Sequence, residues 1–271
     1  MRRLRRVWTV CALILSSVAP AAAQDDPDLD INFAEPDFTL SALPTTLRVP
    51  RFKSAFRVTH RFTRPLGEGD FGSLVEDFFG LDTGARIGLE YRFGIMRKTQ
   101  IGIHRTSDRT IEFFSQYEVL AQGESFPVTI DALATIDGTN NFRDSYTPAL
   151  GAVISRTIAE HVALYLHPIW VNNANLEPSE IVDHNDSTLV GLGARIRIRP
   201  TVYLTFEGAP RVAGDSPGSA QMSFGLEKRW GGHVFQATFT NGLGTTMGQV
   251  ARGAANTDDW FLGFSISRKF Y

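Results

Sequence analysis

From residue 51 to the end of the chain, apolar and polar side chains alternate with a period of two, segment after segment. Ala85, Ile87, Leu89, Tyr91 and Phe93 stand on one face, and Arg86, Gly88, Glu90, Arg92 and Gly94 on the other. Thr188, Val190, Leu192, Ala194, Ile196 and Ile198 oppose Gly191, Gly193, Arg195, Arg197 and Arg199. The same alternation sets Phe52, Phe56, Val58 and Phe62 against Arg51, Lys53, Arg57 and Arg61, and Met222, Phe224 and Leu226 against Ser223, Gly225 and Glu227. Successive strand side chains point to opposite faces, so the pattern requires β-strands. With 43% apolar and 21% charged residues in 271, the chain is neither disordered nor a helical membrane bundle, because no long apolar run follows the N-terminal segment.

Alternating strands build either a soluble barrel with an apolar inside or a membrane barrel with an apolar outside. Three features select the second. The segments run about 9–13 residues, the length of a tilted bilayer crossing, against about 5–6 for a typical soluble strand. The apolar face is plain Val, Ile, Leu, Phe and Ala, as lipid contact requires, while the other face carries Arg, Lys, Glu, Gln, Gly and Ser. The connections alternate in length. Strands are predicted at 51–62, 84–95, 99–105, 110–121, 127–137, 147–157, 161–171, 187–199, 202–208, 218–230, 233–241 and 259–271. Connections at 96–98, 122–126, 158–160, 200–201 and 231–232 are short; those at 63–83, 138–146, 172–186, 209–217 and 242–258 are long; 106–109 breaks the rhythm. Short periplasmic turns and long external loops define an outer-membrane barrel. The predicted fold is therefore all-β, a transmembrane antiparallel up-and-down barrel of about 12 strands, with 10 or 14 as alternatives.

Aromatic placement agrees. Trp170, Trp230 and Trp260 sit near strand ends on the lipid-facing parity, with Phe52, Phe62, Phe93 and Phe206, as in the girdles of membrane barrels. Outward charges, His60, Arg156, Lys228 and Arg268, fall only near strand ends, where they can snorkel to headgroups. The terminal Lys269-Phe270-Tyr271 resembles the signal read by the barrel-assembly machinery, the expected partner in biogenesis; Tyr271 is one place out of the outward frame.

The N-terminal segment reads as an address. Arg2, Arg3, Arg5 and Arg6 precede an apolar stretch from Val7 to Val18 and then Ala21-Ala22-Ala23, a secretory signal peptide over residues 1–23. Its removal takes four of the 27 basic residues, leaving 23 against 29 acids, and takes the single cysteine, Cys11. Thiol chemistry and Cys metal sites are thereby excluded. The expected location is the outer membrane of a Gram-negative bacterium, in contact with its lipid. Residues 24–50, acidic at first and containing prolines, show no periodicity and are read as a tail or periplasmic lead-in, with a short plug as the alternative.

The run Phe78-Phe79-Gly80-Leu81-Asp82-Thr83-Gly84-Ala85-Arg86-Ile87-Gly88-Leu89-Glu90-Tyr91, with His60-Arg61-Phe62 and Tyr117-Glu118-Val119-Leu120-Ala121-Gln122, resembles a family of bacterial membrane β-barrel proteins known as a domain of unknown function. The resemblance covers most of residues 50–271. It implies an outer-membrane barrel and carries over no catalytic residue.

Chemistry-bearing motifs are few. The six histidines show no HxH or HExxH spacing, so no metal is expected; an acidic loop with Glu177, Glu180, Asp183 and His184 reads as hydrated. His60 would serve a membrane-embedded lipid hydrolase, but Ser54 is six residues away on the same strand, roughly 20 Å at the strand rise, too far for a nucleophile–base pair. No enzyme and no cofactor are expected. No basic stripe interleaved with aromatics points to nucleic acid. The informative set is the inward charge: Arg51, Lys53, Arg57, Arg61, Arg86, Arg92, Arg195, Arg197 and Arg199 with Glu90, Glu112, Glu118, Asp131, Glu207 and Glu227. It forms either a salt-bridged closed interior or a narrow pore for small anionic solutes. Inward glycines at 88, 94, 191, 193 and 225 leave space and favour the pore. The expected pore lining is Arg57, Arg86, Arg92, Arg195, Arg197, Glu90 and Glu227. The competing classes are a structural or partner-binding barrel, using external loops such as 68–81, and the lipid hydrolase.

Overall fold

Strands with one apolar face satisfy their backbone groups in a bilayer only by closing into a ring. In the computed structural model, which describes residues 32–77, 84–123, 125–175 and 185–271, twelve antiparallel strands do so. They are β1 (Ser54–Phe62), β2 (Ala85–Met96), β3 (Thr99–Thr106), β4 (Ile111–Leu120), β5 (Thr129–Gly138), β6 (Asp144–Ile158), β7 (Val162–Val171), β8 (Ser187–Arg199), β9 (Val202–Ala209), β11 (Gln221–Trp230), β12 (His233–Thr240) and β13 (Phe261–Phe270). Each pairs with its successor, and β1 closes on β13 from Ser54 opposite Phe270 to Arg61 opposite Gly263. A short strand, β10 (Arg211–Gly214), continues β9 past Pro210 and pairs with β8 alone. Every ring strand starts and ends within three residues of the range read from alternation.

The polarity is inside-out, as the alternation requires. Along β11, Gln221, Ser223 and Glu227 are buried while Met222, Phe224 and Leu226 are exposed. The same exposed band includes Leu89, Ile101, Phe113, Leu150, Leu164, Leu192, Phe206 and Phe235. Such a continuous apolar surface far exceeds the few hundred Å² that soluble monomers tolerate. Trp170 and Trp230 are exposed at strand ends, as expected of girdle residues. Phe62 departs from that role: it is buried, packed against the rings of His60 and Phe264.

Three boundaries differ from the sequence reading, each for a local reason. The chain between β5 and β6 is a tight turn rather than a long loop, because Asn140 and Asn141 adopt φ 51° and 59°, a left-handed conformation that asparagine tolerates. β1 starts at Ser54 rather than Arg51. The Lys53 amide donates to the Pro50 carbonyl at 3.0 Å, making a turn with Phe52 at φ 61°. At the other end, Tyr271 lies one residue past β13, which accounts for its being out of frame.

The largest departure concerns residues 32–50. Read as a tail or periplasmic lead-in, with a short plug as the alternative, they are packed with the barrel's inward residues. Ala34, Phe38, Leu40, Leu43 and Val49 are all buried, in clusters with Tyr165 of β7, Leu189 of β8 and Ala55 of β1. The signal segment 1–23, the resemblance motif at 78–83 and the acidic loop at 176–184 lie outside the described residues.

Candidate functional site: a lumen filled from both ends

The segment 32–50 contains Pro36, Pro44 and Pro50 and forms no regular strand. Its core is a small hairpin: Thr45 N donates to Phe38 O at 2.8 Å, Leu40 N donates to Leu43 O at 2.9 Å, and Thr39 bridges Pro44. Buried backbone groups need partners, and here wall side chains supply them. Glu207 of β9 accepts the amides of Ser41, Ala42 and Leu43 at 3.0, 2.9 and 2.8 Å. The Arg195 guanidinium donates to the carbonyls of Asp37 and Thr39 at 3.2 and 2.7 Å. Gln236 donates to Leu40 O, Gln116 to Thr45 O, and His167 Nε2 to Pro44 O, each at 2.7 Å. Gln100 donates to Leu47 O at 3.2 Å and accepts from Val49 N at 3.1 Å. Side chains add Glu35, which accepts from Tyr165 Oη at 2.8 Å and Thr46 Oγ1 at 2.9 Å, and a Thr46–Ser155 hydroxyl pair at 2.6 Å.

The inward glycines have a different meaning from the one read in the sequence. A Cβ on Gly193 would stand 2.2 Å from Leu40 Cδ1, one on Gly191 2.7 Å from Leu43 Cδ1, and one on Gly94 2.2 Å from the Pro50 carbonyl oxygen. Their space is occupied by the segment. Gly88 similarly makes room for His104.

The connection from β12 to β13 fills the other end of the lumen. Its short helix, Met247–Arg252, starts with a capping box of Thr246 and Gln249, and Met247 to Ala251 are buried. Two wall carboxylates hold it. Glu112 accepts from Met247 N at 2.7 Å, and Asp137 accepts from Thr246 Oγ1 at 2.6 Å and Gly248 N at 3.1 Å. Met247 and Val250 share a buried cluster with Leu43. A gap of about 30 Å³ remains where Thr39, Ala42 and Pro44 face Thr245 and Met247. Outside the helix opens a vestibule of about 380 Å³, with Arg86, Asp108, Gln249, Arg252 and Asp259 in its lining. Burial pushes the Asp108 carboxyl up, but hydrogen bonds from Thr106 and Thr110 and the neighbouring Arg86 outweigh it and hold the group below the usual carboxylate range.

The seven residues expected to line the path lie on the inward parity, but they are not one open surface. Arg195 and Glu227 form a fully buried bidentate pair at 2.8 and 2.9 Å. Arg92 pairs with Glu90 on its own strand and lies over the Phe114 ring. Arg57 donates to Ser41 O, Gln236 Oε1 and Ser265 Oγ. Arg197 is half-buried with its guanidinium 4.9 Å from the Phe33 ring, and Arg86 stands in the vestibule, 3.6 Å from Asp108. Glu207 and Arg61, on the inward list but not singled out, turn out to be central. Their parity was the available signal. His60, the residue a hydrolase would need, stacks on Phe264, and its cross-strand neighbours are Phe264 and Ile87. Neither offers a hydroxyl nucleophile.

A twelve-stranded ring with a lipid-facing apolar band and a polar lumen is a membrane β-barrel of the outer-membrane type. Residues 38–270 match the family described as "Membrane bound beta barrel domain (DUF5777)"; the chain belongs to it. Solved structures with the same fold include the NanC porin (6% identity, TM-score 0.54, 81% of this chain and 99% of that one). The KdgM porin in complex with disordered oligogalacturonate gives 7%, 0.52, 81% and 99%. An outer-membrane channel from Pseudomonas putida F1 gives 11%, 0.50, 82% and 97%. These are porins and channels, not enzymes. No curated protein matches the sequence.

Proposed function

We propose that the chain is an outer-membrane channel for small solutes, with a preference for anions, closed by residues 32–50 together with the inward-folded β12–β13 connection that packs on Leu43, and opened when residues 32–50 leave and that packing is lost. One observation carries this reading: the closing segment is held by polar and charged wall side chains reaching its backbone. A barrel that only had to stay shut would be served as well or better by apolar packing, since buried charges cost desolvation. A lumen that must be wet when open needs Arg57, Arg61, Arg195, Glu207 and Gln236. The KdgM porin, solved in complex with oligogalacturonate, an acidic sugar oligomer, is in keeping with an anionic solute. The Gram-negative outer membrane, delivery by the signal peptide 1–23, and insertion by the barrel-assembly machinery into lipid complete the proposal. Transport through such a pore needs no cofactor.

Reversal potentials in planar bilayers test it. Replacing Arg195 and Arg197 by Ala is expected to shift selectivity toward cations, the more so because losing Arg195 frees the Glu227 carboxylate. Unchanged selectivity removes both residues from the path. Silence of the refolded protein under every condition favours the structural barrel, a reading the filled lumen also supports.

A further inference from the structure

Four arginines are buried in the lumen: Arg57, Arg61, Arg92 and Arg195. Arg195 has Glu227, Arg92 has Glu90, and Arg57 lies 4.0 Å from Asp37. Of these four, Arg61 is the one with no carboxylate within 4 Å among the described residues, Glu207 acting on it only from further away, although none of its surface is exposed. Its Nη2 donates to Ser41 O at 3.2 Å and Ser41 Oγ at 2.6 Å, while its Nε and Nη1 have no partner among the described residues. The Arg57 Nη2 donates to the same Ser41 carbonyl, also at 3.2 Å, and its Nε likewise lacks a hydrogen-bond partner. Two buried guanidiniums therefore converge on one neutral oxygen. A guanidinium fork is matched by a carboxylate taking two parallel hydrogen bonds, and a carbonyl is a poor substitute. The vestibule above this point has a mixed lining, with Arg86 and Arg252 beside Asp108 and Asp259. Arg86 of the vestibule is the direct cross-strand neighbour of Arg61; Asp108, 3.6 Å away, compensates Arg86 but has no ion pair with Arg61.

We propose that Arg57 and Arg61 form a carboxylate-binding site masked by the Ser41 carbonyl. A solute carboxylate arriving past Arg86 takes that carbonyl's place and so releases residues 32–50. The hairpin tip that loses Ser41 O is the same tip whose amides rest on Glu207. An anion entering there meets the Glu207 carboxylate nearby and weakens both halves of the anchor. The inference rests on the channel reading, and it names both the solute's recognised group and the opening signal.

The test reads release without reading conduction. In the full chain carrying Cys11→Ala and Thr46→Cys, the buried position 46 is labelled by a maleimide only when the segment leaves. D-Galacturonate and D-galactose, which differ in a single carboxylate, are compared at equal ionic strength. The expected result is at least a tenfold, saturable acceleration of labelling by galacturonate and none by galactose. Arg61→Gln abolishes the acceleration and Arg61→Lys keeps part of it. Heat-dependent gel mobility checks that each variant is folded, with Arg57→Gln in reserve if Arg61→Gln is not. Equal rates with the two sugars, or undiminished acceleration in the Gln variant, overturn the proposal. Release without conductance rejects the channel and leaves this site; conductance with carboxylate-independent labelling rejects this site and leaves the channel.

Discussion

A disulfide joining positions 46 and 155 is expected to silence the channel, and a reducing agent to restore it. Thr46 Oγ1 and Ser155 Oγ are 2.6 Å apart, so sulfurs in their places need only a small movement to reach the bond length of about 2.05 Å. The link ties the closing segment to β6 across 109 residues of sequence, and Cys11, the only natural cysteine, is replaced by Ala. The oxidised form of Thr46→Cys/Ser155→Cys should show only leak current, because the segment cannot leave. The same bilayer after reduction should recover conductance steps. The reversibility separates a gating effect from a folding defect. Equal conductance in both forms would mean that solute passes around residues 32–50, or that they are not seated in the lumen.

The second large effect is expected in the opposite direction. Glu207 collects three successive amides of the hairpin tip in a buried site. Charge-assisted hydrogen bonds of this kind exceed neutral ones about twofold, and each buried donor left without a partner costs about 1–3 kcal/mol. All three amides donate to the one oxygen Oε2, so Glu207→Gln keeps the shape but removes the negative charge that lets one oxygen hold three donors. A loss of about 3 kcal/mol corresponds to an equilibrium shift on the order of 100-fold toward the open form. Open probability, and maleimide labelling of Thr46→Cys, should both rise on that scale while the heat-dependent gel shift stays intact. A Gln variant as tightly closed as the parent would remove Glu207 as the anchor.

Strand positions and facing were readable because two solvents impose a period of two on every crossing. A residue such as Leu226 meets lipid and its neighbour Glu227 meets the lumen whatever their distant partners are. The closing segment was not readable in that way. Residues 32–50 have no period of their own, because Ser41, Ala42 and Leu43 take their backbone partners from Glu207, some 165 residues away. Local sequence says nothing of such pairings. Two clues were present: prolines spaced through a stretch that turns from acidic to apolar, and inward glycines on β8 that suggested empty space but accommodate Leu40 and Leu43. The inward folding of the β12–β13 connection leaves one local sign, Thr246 and Gln249 at capping-box spacing, which marks a helix start within a loop but not where that helix packs. Arg61 was placed on the correct face by parity. Its want of a direct carboxylate partner is a property of the folded lumen, where Glu227, Glu90 and Asp37 lie beside the other three arginines.

Backbone hydrogen exchange across residues 38–49 in the detergent-folded barrel is the most direct measurement. Amides that donate to Glu207 and Gln100 inside a closed ring should exchange as slowly as those of β7 and β8, through sub-global opening alone. Exchange within seconds, as in an exposed tail, would contradict the closed lumen on which the gating and the masked carboxylate site both stand.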